Sequence, residues 1–267
     1  MKLLLFLLLM PFTLAANDFI VTEFGAKGDG LTVNTEYINN AIEACFLAGG
    51  GTVYFPAGSF VSGTIVLKSD VHLYLEAGSV LMASTDLADY QVITPSFRSY
   101  TDVNYVDKSL IYAEKSKNLG ISGKGIIEGN GGHDQFNFSN DPSHYKDRPF
   151  LIRMVECSDV SIEDITIKDS PMWVQHYLAC ERLIIDGITV RSEVNVNNDG
   201  IDIDCCRNVR ISNCDIRTGD DAIVLKSTAP KMCENIVITN CLLSSNCCAF
   251  KIGTESVGGF KLSLIHI

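Results

Sequence analysis

"CRNVRISNCDI", Cys206 to Ile216, is one of four segments that align without gaps. The others are "CSDVSIEDITI" (157–167), "CERLIIDGITV" (180–190) and "CENIVITNCLL" (233–243), and successive starts lie 23, 26 and 27 residues apart. Val160, Leu183, Val209 and Ile236 share one column; Ile162, Ile185, Ile211 and Ile238 share the next but one. Ile165, Ile188, Cys214 and Cys241 follow, then Ile167, Val190, Ile216 and Leu243. A weaker copy, "SKNLGISGKGII", begins at Ser116. Short alternating runs of Ile and Val, separated by Asn, Asp, Gly and Ser and repeated every twenty-odd residues, mark a β-solenoid. This half has no helical 3.6-residue period and no leucine-rich-repeat pattern. The prediction is an all-β chain folded as a right-handed parallel β-helix. Coils should stack about 4.8 Å apart, with equivalent positions forming ladders.

The columns reinterpret the ten cysteines. Cys157, Cys180, Cys206 and Cys233 share one position, and Cys214 and Cys241 replace isoleucine in another. Such residues are expected to be small, buried, largely reduced core groups rather than a disulfide framework. No cysteine pair has zinc-ligand spacing with a histidine partner, so no metal site is predicted.

Elsewhere the chain is less regular. One helix is predicted after Asn34 or Thr35, either of which can cap it. Ile38, Ala41, Ile42 and Cys45 lie on one face, and "AGGG" (48–51) ends it. Such a helix is expected to plug the open end of the first coil. Strands resume in "GTIVLKSDVHLYLEAGSVLMAS" (63–84). The polar, unrepeated "DQFNFSNDPSHYKDRP" (134–149) is either a wall of a cleft or a plain surface loop. With no linker in sight, residues 17–261 are read as one domain.

The first 16 residues, "MKLLLFLLLMPFTLAA", have the order of a secretory signal: Lys2, an apolar run, then Ala15 and Ala16. The run is too short to span a bilayer. A secreted or periplasmic protein with no membrane partner is expected. The net charge of −11 argues against a nucleic-acid partner. The final "LSLIHI" (262–267) matches the translation of a transposon-end sequencing adapter, and is expected to be a non-native tail on a chain incomplete at its C-terminus.

The chemistry concentrates in "RTGDDAIVLKS" (217–227) and, one coil earlier, "NVNNDGIDID" (195–204). Asp199 stands 21 residues before Asp220, close to one coil, which places it on the rung beside Asp220 and Asp221. Neighbouring strands lie about 4.8 Å apart, so the carboxylates should be separated by about 5 to 9 Å. That range serves glycoside hydrolysis, its wider end suiting an inverting mechanism. Crowding should raise at least one carboxyl pKa. The alternatives are turn decoration, expected for Asp202 and Asp204, and a calcium site.

At these residues the chain resembles glycoside hydrolase family 28, the pectin-degrading polygalacturonases and rhamnogalacturonan hydrolases. "FGAKGDG" (24–30), "GGGTVYFPAGSF" (49–60), "LKSDVHLYLEAGSVLMAS" (67–84), "NNDGIDID" (197–204) and "GDDAIVLKS" (219–227) carry the resemblance, in order, from about Val21 to Phe260. It implies that Asp220 is the general acid and that Asp199 and Asp221 activate the attacking water. Asn197 matches the motif residue that orients the cluster, and Asn198 stands where the family often has threonine. Cys248 occupies the place of the family's Gly-His-Gly histidine, and cysteine cannot make an imidazole's hydrogen bonds. This departure favours rhamnogalacturonan or another uronic-acid glycoside over strict polygalacturonase specificity. The family's Arg-x-Lys clamp falls beyond the present end. Lys226 and Lys251 are candidates to meet a substrate carboxylate, and His176, beside Trp173, is a candidate cleft residue. The expected activity is cofactor-free, inverting hydrolysis of pectic polysaccharide by an exported monomer. The rivals are a calcium-dependent polysaccharide lyase and a non-catalytic glycan-binding β-helix.

Overall fold

A computed structural model describes residues 18–99, 107–136 and 147–266. The signal-like segment and most of the polar insertion lie outside the described residues. The described strands form three parallel sheets of nine, eight and seven strands. Each strand pairs with its counterparts on the neighbouring coils, the arrangement of a right-handed parallel β-helix. In the first sheet the repeats run Ser158–Glu163, Glu181–Asp186, Arg207–Ser212 and Cys233–Thr239.

The register follows the sequence columns. Val160 pairs with Leu183, Leu183 with Val209 and Val209 with Ile236. In the second sheet Ile167, Val190, Ile216 and Leu243 are successive partners. The weaker copy falls into place too, Leu119 and Ile121 pairing with Val160 and Ile162. Alternate residues point to opposite faces of a strand. Val209 and Ile211 are therefore buried while Arg210 between them is exposed.

The corners explain the polar residues between the strands. Asp159, Arg182, Asn208 and Asn235 all adopt left-handed backbone, with φ between 55° and 59°. Asn and Asp tolerate this conformation better than most side chains. Stacked asparagines bond to one another: Asn235 Nδ2 donates to Asn208 Oδ1 at 3.0 Å. All ten cysteines are free. In the cysteine column the thiols of Cys180, Cys206 and Cys233 face a carbonyl one coil back, Cys180 at 3.3 Å from Met154 O, Cys206 at 3.2 Å from Tyr177 O and Cys233 at 3.6 Å from Ile203 O. A small apolar group with a weak donor suits that position.

The helix spans Thr35–Leu47 and buries Ile38, Ala41, Ile42 and Cys45 in the same core as the strands. Asn34 is the N-cap by position but makes no capping bond. Its buried amide bonds the preceding loop instead, accepting from Lys27 N at 2.7 Å and donating to Thr32 O at 2.7 Å. At the other end Phe260–His266 pairs with Cys233–Thr239. That rung keeps the backbone register without its chemistry. Ser263 stands in the Val209 column with its hydroxyl buried and unbonded. Leu262 takes the left-handed corner, φ 52°, that the earlier repeats give to Asn, Asp or Arg.

Candidate active site

The third sheet positions the acids. Ile201 pairs with Ile223, and Ile223 with Phe250. Followed two residues back, this register stacks Asp199, Asp221 and Cys248 on successive rungs. Backbone bonds hold the stack, Gly200 N to Asp221 O at 2.9 Å and Ala222 N to Cys248 O at 2.8 Å. The glycine after Asp199 is needed for this approach. A Cβ on Gly200 would sit 2.5 Å from Ala222 O. The adjacent Asp220 folds toward the stack, its Oδ1 accepting Asp221 N at 2.9 Å.

One carboxylate oxygen each from Asp199, Asp220 and Asp221 lie within 4.8 Å of one another. The spacing is tighter than the range of about 5 to 9 Å expected from sequence, because Asp199 and Asp221 share a column and are held at rung distance. Measured between single oxygens, it also falls below the carboxyl-group separation usual in inverting glycosidases, about 6.5 to 9.5 Å. Distance alone does not argue for inversion here.

The three acids differ in environment. Burial, reinforced by Asp220 and Asp221 and opposed by Lys226, pushes the Asp199 carboxyl up to about 7. Burial would also raise Asp221, but Lys251 and the thiols of Cys247 and Cys248 hold it below the usual carboxylate range. Lys251 Nζ lies 2.7 Å from Asp221 Oδ2. Asp221 Oδ1 is buried with no hydrogen-bond partner. Below about pH 7 the cluster thus keeps a proton on Asp199 beside an ionised Asp221.

Asp202 and Asp204 are not turn residues. They belong to the strand Ile201–Asp204 and are buried on its outward face. Burial drives the Asp202 pKa well up, with Asp199 adding to it. Burial acts on Asp204 in the same sense, but His176 and Thr228 overcome it and lower its pKa. Thr228 donates to Asp204 from its backbone N at 2.9 Å and its hydroxyl at 2.7 Å.

Lys226 is buried, 3.3 Å from Glu255 and 3.5 Å from Asp202, with its ammonium 4.7 Å from the centre of the Trp173 ring. Burial works against its charge, but Asp202, Glu255 and Asp199 hold its pKa above the usual lysine value. A protonated Asp202 cannot support that charge in full. The geometry favours a charged Lys226 facing Glu255, with the proton on Asp202, whose oxygens accept no hydrogen bond.

The remaining sequence candidates separate. Lys251 is partly open and touches the acids. His176 is buried rather than open to a cleft. Burial lowers its pKa, so the ring is neutral near neutral pH, with Nε2 3.3 Å from Asp204 Oδ2 and the Trp173 ring 5.2 Å away. Asn197 has left-handed backbone, and its Oδ1 accepts from Arg148 at 3.0 Å.

Sequence reading passed over Arg148. It is fully buried, donates to Val196 O at 2.6 Å and Pro171 O at 3.2 Å, and so anchors the loop leading to Asp199. It also passed over Cys247. Donor atoms of Asp221, Cys247 and Cys248 also lie within 4.8 Å of one another, a grouping that the sequence spacing did not offer. Adjacent cysteines do not have zinc-motif spacing, and only the bend before Phe250 brings them together.

The family model described as Glycosyl hydrolases family 28 matches residues 50–257. A Vitis vinifera protein described as "Probable polygalacturonase" is 34% identical over 222 residues, covering 79% of this chain and 45% of its own length. The exo-poly-alpha-D-galacturonosidase of Dickeya chrysanthemi is 29% identical over 248 residues, covering 76% of this chain and 41% of its own. Among solved structures, a hyperthermoactive exopolygalacturonase from Thermotoga maritima superposes with a TM-score of 0.81 at 26% identity, covering 94% of this chain and 66% of that one. The chain spans less than half the length of these two curated relatives.

Proposed function

Because the chain belongs to glycosyl hydrolase family 28, we propose that it is the acid-bearing part of an exported enzyme that hydrolyses a galacturonan- or rhamnogalacturonan-type pectic polysaccharide. The observation that carries the reading is the cluster of Asp199, Asp220 and Asp221 with oxygens within 4.8 Å. In this reading Asp220, the most open of the three, protonates the leaving oxygen. Asp199 and Asp221, stacked on adjacent rungs, orient and deprotonate water. Asp221 is the ready base, kept ionised by Lys251; Asp199 joins it once its own proton has left. Two acids serving one water, with a third as donor, favour inversion in spite of the short spacing. Proton NMR of the first-formed anomer tests that point, and a retained configuration overturns it.

Lys251 is the cation best placed to meet a substrate carboxylate. Lys226 and His176 lie beneath the acids and support them from below. Cys248 cannot supply an imidazole's hydrogen bonds, so Lys251 takes over the task of holding Asp221. Cofactor-free action as a monomer is part of the proposal.

Reducing-end release from homogalacturonan, compared with rhamnogalacturonan, tests the activity. A product absorbing in the ultraviolet and lost with a chelator would favour the lyase reading, for which the nearby Lys226 and Lys251 offer candidate bases. Glycan binding without any product would favour the non-catalytic reading.

A further inference from the structure

Successive side chains of a strand point to opposite faces. After the strand Leu242–Ser245 the chain bends, and Cys247 and Cys248 turn the same way. Their sulfurs lie 3.9 Å apart. Both sit beside Asp221, whose Oδ1 is buried and without a hydrogen-bond partner although Oδ2 is held by Lys251. Two sulfurs bound to one tetrahedral zinc, each at about 2.3 Å, would be about 3.8 Å apart. The thiol pair is therefore already spaced for a shared ion. Cys247 is exposed, which gives an ion a path in.

From this geometry we infer that Cys247, Cys248 and Asp221 form a binding site for a thiophilic divalent cation of the zinc class. Two thiolates and one carboxylate oxygen supply three positions of a tetrahedron, and water takes the fourth. Two thiol protons leave for solvent as the two sulfur–metal bonds form, and nothing is oxidised or reduced. Sulfur ligands select zinc, cadmium or cobalt over calcium and magnesium, which require oxygen. The site shares Asp221 with the proposed hydrolytic cluster, so the bound cation inhibits. That consequence, unlike the site itself, rests on the hydrolase reading.

The test is a cobalt(II) titration of the full chain kept reduced, read by thiolate-to-cobalt charge-transfer absorption and reversed with zinc. One equivalent should bind, and Cys247→Ser or Cys248→Ser should each weaken binding at least tenfold. Absence of the charge-transfer band, or equal binding by the Cys247→Ser/Cys248→Ser double variant, overturns the site. Circular dichroism of the variants separates lost ligation from lost fold. Zinc should also lower pectic hydrolysis at least tenfold in wild type and much less in Cys247→Ser. If cobalt binds at the thiols but metal-free protein hydrolyses no pectic polymer, the site stands and the hydrolase reading falls.

Discussion

Lys251 Nζ bonds Asp221 Oδ2 at 2.7 Å from one rung further along the same sheet. This contact, rather than any histidine, keeps Asp221 ionised. In Lys251→Gln the Asp221 pKa should rise, because burial then acts without its main opponent. The acid limb of kcat/KM should move to higher pH, with a loss of about 10- to 100-fold at pH 6, within the range of general acid–base effects. A pH–rate profile identical to wild type would remove Lys251 from the mechanism.

The three acids should separate by leaving group. Asp220→Asn, Asp199→Asn and Asp221→Asn should each lower kcat on polymer by about 10²- to 10⁴-fold. A substrate with a nitrophenol leaving group needs no proton donor, so it should restore most of the rate to Asp220→Asn and little to the other two. Equal rescue of all three would contradict the assigned roles.

Asp199 links the site to stability. Its folded pKa, about 7, lies above the reference value of 3.8. Between these values the folded state binds the extra proton, so this group's contribution falls as pH rises from about 4 to about 7. Asp199→Asn keeps the neutral shape at every pH. It should be more stable than wild type at pH 8, by on the order of 2–4 kcal/mol, and nearly equal at pH 4. Thermal melts at the two pH values measure this; a constant difference would mean that Asp199 is not the protonated acid.

Gly200→Ala forces a Cβ to within 2.5 Å of Ala222 O unless the rungs part. The variant should lose about 1–3 kcal/mol, in line with other overpacked sites. It should also lose activity by more than tenfold while keeping its circular dichroism spectrum. Wild-type kinetics would show that the rung contact between Asp199 and Asp221 can relax without consequence.

Thiol reactivity should mirror burial. In native protein Ellman's reagent should label only Cys247, Cys241 and Cys248, the three that are not buried; Asp221 raises the Cys247 thiol pKa, so exposure alone does not make it the first to react. After denaturation all ten should react. Fewer than ten would reveal disulfides and overturn the reduced ladder.

What the sequence disclosed followed from repetition. Four aligned segments set the register of Val160, Leu183, Val209 and Ile236, and the coil spacing put Asp199 on the rung beside Asp220 and Asp221. What it concealed lies where the repeat carries no information. The run "IDID" (201–204) reads as exposed turn chemistry, yet Asp202 and Asp204 sit in a strand whose outward face is covered. The strict Ile–Asp alternation was the available signal. Arg148 gave no signal at all, because its partners in the loop nearly fifty residues away are a backbone carbonyl and asparagine side-chain oxygens.

The corner glycine and the strand ladders have an evolutionary corollary. Hydrogen bonds set the height of each rung, and residue count sets the position around it, so the acid site works as a table of addressable cells. Lengthening a corner, as between Lys226 and Cys233, leaves every address unchanged. A single insertion between Ile216 and Asp221 would shift one row and take its acid out of the column. Chemistry can then change one letter at a time, with the rows above and below kept as they were. Cys248, beneath Asp199 and Asp221, is such a letter.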